Sequence, residues 1–437
     1  MVKFFALFRL GIKYLYRYRR RYGFLLIALI VGFGVVTFIT SAKDGMSSNV
    51  YFSAQSHYAG DIVASGYSHD FAPNQRYISE NDISAILNAA DISGINPRHT
   101  IRRTVLGNVG VVYFNGNAVR IKSTIGCDWY DEEFLFNRMV FDEPPDSSFD
   151  DDGIILSVPT AKQLGARMGD LVVLEIETNR GQKNTGSFII KGIVQDTSIF
   201  GYYKAYISKL CLNRLLLYGD EDCSTVGFFF DDPAVAEQKR KVLQKALDGQ
   251  VQTGPLVYDR DELEVERSRD WAGTRVFLFT MPVYLAEIAD LLNAMNLLTY
   301  FLYGMMLLII LVSAIVTYRL IINERIREMG VMRAIGFYGV DLRLVLWTEI
   351  IALGFVSLLA GFLLALILSG AASLLSFSWF PGFEIFLKNG KLTAMYLPAT
   401  MLVNVVTVFL ILFATALIPS FRVSNKNLSG LLSGEPL

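Results

Sequence analysis

The sequence predicts a membrane α-helical protein with four transmembrane helices and a large extracytoplasmic α+β domain inserted between helices one and two. Three observations predict this. Four long windows carry no Asp, Glu, Lys or Arg. Basic residues cluster beside those windows, on what becomes one side of a bilayer. Between the first and second windows runs a long stretch in which short strand and helix patterns mix.

A chain of 437 residues exceeds one ordinary domain. The formal net charge of −1 argues against nucleic acid as a partner. Hydrophobic residues make up 52% and charged residues 19%, averages that hide strong clustering. The charge-free windows are residues 22–42, 291–318, 350–383 and 392–421. At 1.5 Å rise per residue, about 20 apolar residues cross the ~30 Å hydrocarbon layer. A charge near mid-bilayer costs roughly 2.5–3.5 kcal/mol, so such windows read as spans rather than core helices. The third window exceeds one crossing. Its end, Phe377-Ser-Trp-Phe-Pro-Gly, reads as an aromatic interface belt and a turn. Helix three is therefore placed at 344–378, a short external loop at 379–391 and helix four at 392–421.

Orientation follows from the basic residues. Segment 1–21 carries Lys3, Arg9, Lys13, Arg17, Arg19, Arg20 and Arg21 and no acid. The loop 319–343 carries Arg319, Arg325, Arg327, Arg333 and Arg343, and the tail 422–437 carries Arg422 and Lys426. With four spans these lie on one side, which the positive-inside rule makes cytoplasmic. Both termini are then inside and residues 43–290 outside, as for a multi-pass protein of a bacterial cytoplasmic (inner) membrane. A cleaved signal peptide ending at Thr40-Ser-Ala42 is the competing reading; the basic region is long for one, and the apolar run exceeds the usual length. Arg9, Lys13, Arg17 and Arg21 recur every four residues, which suits an interfacial helix on anionic membrane lipids and suits equally a set of topology charges.

The outer stretch reads as α+β. A helix over 79–90 opens on Ser79, with Asp82 three residues on. Strands are expected at 153–158, 171–178, 187–194 and 225–230, and helices at 159–166, 208–217 and 233–247. Residues 179–186 read as a hairpin loop, and 142–152 as an exposed acidic loop. No catalytic constellation emerges. His57, His69 and His99 are scattered, and Asp150, Asp151 and Asp152 read as a solvated loop rather than a cation site. Cys127, Cys211 and Cys223 form no CxxC pair; a Cys211–Cys223 disulfide and ordinary buried thiols both stay open. No Gly-x-x-x-x-Gly-Lys-Ser/Thr occurs, so nucleotide hydrolysis would belong to another chain.

The loop after span two reads Arg325-Ile-Arg-Glu-Met-Gly-Val-Met-Arg-Ala-Ile-Gly336. It is a short charged helix in which Gly330 and Gly336 permit bends and Glu324 can pair with Arg327. Ile326, Met329 and Met332 offer apolar knobs among arginines, a surface that suits a soluble partner. This segment resembles the signature of the MacB/FtsX-type permeases, whose lipoprotein-releasing LolC/LolE branch is nearest in layout. Ile154-Ile-Leu-Ser, Ala161-Lys-Gln-Leu-Gly-Ala-Arg-Met-Gly-Asp-Leu-Val and Phe188-Ile-Ile-Lys-Gly-Ile-Val are similar to that family's outer-domain core. Ile418-Pro-Ser-Phe-Arg-Val-Ser is similar to its tail.

The resemblance implies a non-catalytic ABC transporter permease subunit of the mechanotransmission type. It implies a dimer of ABC ATPase subunits that holds the ATP and Mg, and a second permease, identical or different. Lipoprotein or hydrophobic cargo, or a periplasmic adaptor, would engage the outer domain. Glu324, Arg325, Arg327, Glu328, Met329, Gly330, Met332, Arg333 and Gly336 would form the ATPase-coupling segment, with a purely topological basic loop as the plainer reading. One departure bears on the branch: the chaperone-binding hook of the LolC branch is longer and carries proline, unlike 179–186. An ATP-driven regulator of a cell-wall hydrolase, without cargo, is the alternative function.

Two membrane features stand apart from the resemblance. Ser357, Gly361, Ala365, Ser369 and Ser373 recur every four residues in span three, a stripe that lets another helix approach, within this chain or on a second permease. Glu349 near the inner boundary is either a functional intramembrane acid or the partner of a loop arginine.

Overall fold

The computed structural model describes residues 19–68, 76–145, 152–178, 180–195, 203–377, 383–388 and 390–433. The expectations for Lys3, Arg9, Lys13 and Arg17, for Asp150 and Asp151, for the belt at 378–382 and for the tail at 434–437 lie outside them. The chain divides into two compact units: Met1–Ser48, Leu292–Ser376 and Lys391–Leu437 form one, Asn49–Leu291 and Phe377–Gly390 the other. The division falls within the first helix, α1 (Arg19–Tyr58). Among the described residues four helices, one N-terminal and three C-terminal, are long and apolar enough to cross a membrane, and the α+β domain lies between the first two in the chain.

Among the described residues the outer unit has ten strands: β1 (Ile62–Ser68), β2 (His99–Phe114), β3 (Asn117–Cys127), β4 (Phe141–Glu143), β5 (Gly153–Ser157), β6 (Leu171–Glu177), β7 (Lys183–Val194), β8 (Lys204–Ser208), β9 (Thr225–Phe229) and β10 (Thr274–Thr280). Their order is β10-β1-β9-β2-β3-β8-β5-β7-β4, with β6 bridging β2 and β7. The long strand β2 joins two halves: His99–Arg103 pairs with β9, and Thr104–Phe114 with β3. The pairs β3–β8 and β5–β7 run parallel. The continuous apolar run Ile154-Ile-Leu suits β5, every residue of which is buried. Strand β7 starts at Lys183, earlier than the sequence suggests. Its outer half alternates exposed and half-buried residues as a two-stranded ribbon with β6, and Lys183 pairs with Glu175 at 2.8 Å. Phe141–Glu143, expected in or beside a loop, adds a short edge strand to β7.

Helices cover the sheet: α2 (Glu80–Ile92), α3 (Trp129–Phe136), α4 (Val158–Leu164), α5 (Lys209–Leu216), α6 (Ala236–Leu247), α7 (Arg260–Arg267) and α8 (Met281–Tyr284). Ser79 caps α2, its Oγ accepting from the Asp82 amide at 3.3 Å. Ile83 and Ile86 of α2 and Leu243 and Leu247 of α6 pack with Val226, Phe228, Val276 and Leu278 in one core cluster. A second cluster joins Ile154, Leu156, Val172, Leu174, Ile190 and Ile207.

A buried ion pair stands inside this unit, among the described residues. Arg103 of β2 donates from Nε to Glu132 Oε1 at 2.8 Å and from Nη2 to Oε2. Its Nη1 donates to the Ser56 and His57 carbonyls at 2.5 and 3.3 Å, capping the last turn of α1. Cys223 is buried with a free thiol, so no Cys211–Cys223 disulfide forms; burial pushes that thiol up to about 12, which makes it inert at neutral pH.

The membrane unit combines α1 with α9 (Ala286–Glu324), α10 (Ile326–Ala334), α11 (Gly339–Leu374), α12 (Pro398–Asn425) and α13 (Leu428–Leu432). Helix α12 opens at Pro398, not at 392, because proline fits the first helical turn, where no amide partner is needed. Helix α11 ends at Leu374, short of the expected 378. Leu25, Leu29 and Phe33 of α1 meet Ile310 and Tyr318 of α9, Leu346 and Leu353 of α11, and Leu412 and Ala416 of α12 in a single cluster. Polar ties join α1 to the last span: Asn404 Nδ2 donates to Thr40 Oγ1 at 2.9 Å, and Thr400 Oγ1 to Asp44 Oδ2 at 2.8 Å.

Candidate functional site

The segment between α9 and α11 carries the coupling expectation. Helix α9 stops at Glu324 and α10 starts at Ile326; Arg325 between them has φ −100° and ψ 5°, outside helical geometry. Glu324 and Arg327 therefore stand on different helices, and the i,i+3 pairing expected of them assumes a continuity that the chain does not have. The i,i+3 contact of this segment is Arg325 Nε to Glu328 Oε2, 3.7 Å.

The periodicity of α10 sorts its residues into two faces. Ile326, Met329 and Met332 fall three apart and are buried in the membrane-unit core. The expectation that the methionines stand out as surface knobs is corrected: residues at i, i+3 and i+6 share the inward stripe. Gly330 is buried too, in a close contact. A methyl there would come within 3.1 Å of the Leu431 backbone and of Leu432 Cδ2, so α13 packs directly against α10. Leu431 is fully buried between them. Arg333 Nη1 donates to the carbonyls of Ser424 at 3.2 Å and Lys426 at 2.8 Å, satisfying the C-terminus of α12. Gly336 turns the chain toward α11 with φ 105°, a conformation suited to glycine.

The opposite side exposes Arg327 and Val331 of α10 and Ile335 at its end. Glu324, which ends α9, and Tyr338, which precedes α11 beyond the Gly336 turn, are exposed as well, and Val331, Ile335 and Tyr338, at 49%, 75% and 73%, are three apolar residues missed in the sequence. The available signal was spacing. Arg327, Val331 and Ile335 follow each other at helical i,i+4 spacing, opposite the buried stripe. Glu328 sits at the edge, its side chain 42% exposed.

Glu349 on α11 is fully buried and meets Arg325, itself 1% exposed, at 2.8 Å through Oε2. The Tyr22 hydroxyl of α1 donates to the same oxygen at 2.6 Å and accepts from Arg325 Nη1 at 3.1 Å. Of the two readings of Glu349, the pairing with a loop arginine is the arrangement present, and Tyr22 is its unforeseen third member. No local pattern marks Tyr22, which lies 303 positions from Arg325 along the chain.

The small-residue stripe of α11 divides. Ser357, Gly361 and Ala365 are buried; Ser369 is half-buried and bonds the Tyr396 hydroxyl at 2.6 Å. At Gly361 a methyl would lie 2.9 Å from Phe33 and 3.0 Å from the Ile30 carbonyl, and at Gly34 3.0 Å from the Gly361 carbonyl. The two glycines let α1 and α11 cross at backbone distance within this chain. Among the described residues no His, Cys, Asp and Glu cluster could hold a metal ion.

Comparisons with known proteins bear on both units. Residues 300–428 match the FtsX-like permease C-terminal model, and residues 23–242 match the MacB-like periplasmic core domain. No curated protein matches. The periplasmic region of MacB from Actinobacillus actinomycetemcomitans is similar at 12% identity, over 52% of this chain and 91% of its own, with a TM-score of 0.30. A domain assigned to a permease from Porphyromonas gingivalis is similar at 13% identity, over 51% of this chain and 89% of its own, with a TM-score of 0.28.

Proposed function

The chain belongs to the permease family built from a MacB-like periplasmic core domain and an FtsX-like C-terminal region, and on that premise we propose that it converts ATP hydrolysis in a partner into motion of its outer domain. As a multi-pass ABC transporter permease subunit it works with an ABC ATPase. The further reading is that ATP and Mg stay with an ATPase dimer docked on the face Arg327, Val331, Ile335 and Tyr338. A second permease completes the assembly, the termini lie in the cytoplasm, and residues 43–290 lie outside the inner membrane. The cargo is a lipoprotein or another hydrophobic molecule.

One observation supports this most. Val331 and Ile335 are exposed on a short helix whose other face is packed against the membrane-unit core and α13, and Tyr338 is exposed just beyond the Gly336 turn that follows it. An apolar knob surface on a braced helix suits a pocket on a rigid soluble partner, where a few aromatic and aliphatic anchors supply most of the affinity. The flanking Arg327 suits an acidic rim on that partner.

The test is to tag the chain, purify it in mild detergent and identify what accompanies it. We expect an ABC ATPase, and its recovery should fall more than about tenfold in an Ile335→Asp, Tyr338→Ser double variant that still inserts. Normal ATPase recovery in that variant would place the docking face elsewhere. A lipid-anchored protein that leaves the complex on ATP addition favours transport. Cell-wall hydrolase activity dependent on this chain, with no cargo found, favours the regulator instead.

A further inference from the structure

We infer that Tyr22, Arg325 and Glu349 form a charge latch that positions the coupling segment against α1 and α11 and passes its displacement to α1. What drives the segment rests on the permease reading proposed above; the latch geometry does not.

The latch sits at the backbone break. Because α9 and α10 are separate helices joined at Arg325, α10 can swivel there with little change in either helix. The side chain at that one residue is also the segment's deepest anchor. Its guanidinium is bonded to Glu349 of α11 and Tyr22 of α1, and the guanidinium and the tyrosine hydroxyl both donate to one oxygen of the Glu349 carboxylate. Apolar side chains of similar volume would hold these helices together at least as well, since a buried ion pair contributes little net stability. What a buried pair supplies instead is one defined arrangement, because any other leaves a charge uncompensated.

Glu328 adds a second feature. It lies on α10, 3.7 Å from Arg325 Nε, and travels with the segment, whereas Glu349 stays with α11. When α10 shifts, Arg325 keeps an acidic neighbour while its bonds to Glu349 and Tyr22 stretch. The guanidinium then keeps one acidic neighbour while the buried Glu349 carboxylate loses its partner, so the segment is drawn back to its resting position and the strain falls on Tyr22 and so on α1.

The experiment uses the full chain co-purified with its ATPase in lipid nanodiscs, as the parent and as Tyr22→Phe and Glu349→Gln variants. Amide hydrogen exchange is followed with and without ATP. Without ATP, exchange over residues 326–334 should rise about tenfold in Glu349→Gln and less in Tyr22→Phe, the scale of losing a hydrogen bond to a charged group. With ATP, hydrolysis should stay within about twofold of the parent, while the ATP-dependent exchange change over residues 43–290 falls about tenfold. Unchanged exchange at 326–334 in both variants overturns the latch. So does a loss of hydrolysis and outer response in equal proportion, the mark of simple misfolding. If the parent itself shows no ATP response over 43–290, the permease reading fails, and exchange at 326–334 still decides whether the latch exists.

Discussion

Replacing Arg103 with alanine is expected to destabilise the outer domain by about 3–5 kcal/mol, because it leaves a buried charge without its partner. Both members of its ion pair are buried, with side-chain exposures of 0% and 1%. Three roles end together. The Glu132 carboxylate loses a bidentate partner, the Ser56 and His57 carbonyls lose their cap, and a cavity opens where β2 passes from β9 to β3. The change has a pH signature. Burial already pushes the Glu132 carboxyl up, and Arg103 is the chief group drawing it back. Without Arg103 the folded state holds a proton on Glu132 that the unfolded chain releases. Stability then falls as pH rises above the ordinary carboxylate range, and the deficit is smaller at acid pH than at pH 8. Thermal or denaturant unfolding of the full chain, read from amide exchange over residues 99–136, checks both statements. A paired Arg103→Met, Glu132→Leu variant should recover most of the loss, because matched apolar groups leave no charge stranded. A single Arg103→Ala variant that melts like the parent would show that the pair does not hold this region.

Substituting Gly330 with proline should abolish stimulation of the partner ATPase while the chain still inserts. Proline removes the amide that closes the helical turn at Gly330, and its ring meets the carbonyl four residues back, a cost of about 3 kcal/mol or more. Gly330 also has no spare room. Even a Cβ would press on Leu431 and Leu432 of α13, so α10 and its brace separate together. The four spans lie outside that contact, and their apolar windows are untouched. Glu328→Lys should act in the same direction, setting a second positive charge beside Arg325. The measurement is ATP hydrolysis by the co-expressed ATPase, compared at equal amounts of membrane-inserted chain. Normal stimulation in both variants would remove 324–336 from the coupling route.

The spans were legible because membrane insertion is additive along a local window. Each apolar residue in 22–42 or 291–318 favours the bilayer whatever its distant neighbours do, and each arginine in 319–343 resists crossing on its own. The Ser79 cap and the buried run Ile154-Ile-Leu were legible for the same reason, since a cap or a strand draws on residues a few positions apart. The outward face of α10 was within reach of the same logic, yet the methionines were placed outside. Their composition suggested a surface, whereas the stripe of Ile326, Met329 and Met332 belongs to the core.

The remaining decisions belong to the tertiary structure. Nothing near Glu349 in the chain indicates whether its partner is water, a lipid headgroup or Arg325, and nothing near Tyr22 indicates a partner at all. The break at Arg325, the crossing of Gly34 with Gly361 and the clasp of Arg103 on the end of α1 likewise join groups that meet only when separate elements pack. Electrostatic and close-packing energies depend on distance in space. A sequence states that distance only over a helical turn or a strand pair, so the spans could be read directly, while the partners of their buried charges were settled by folding.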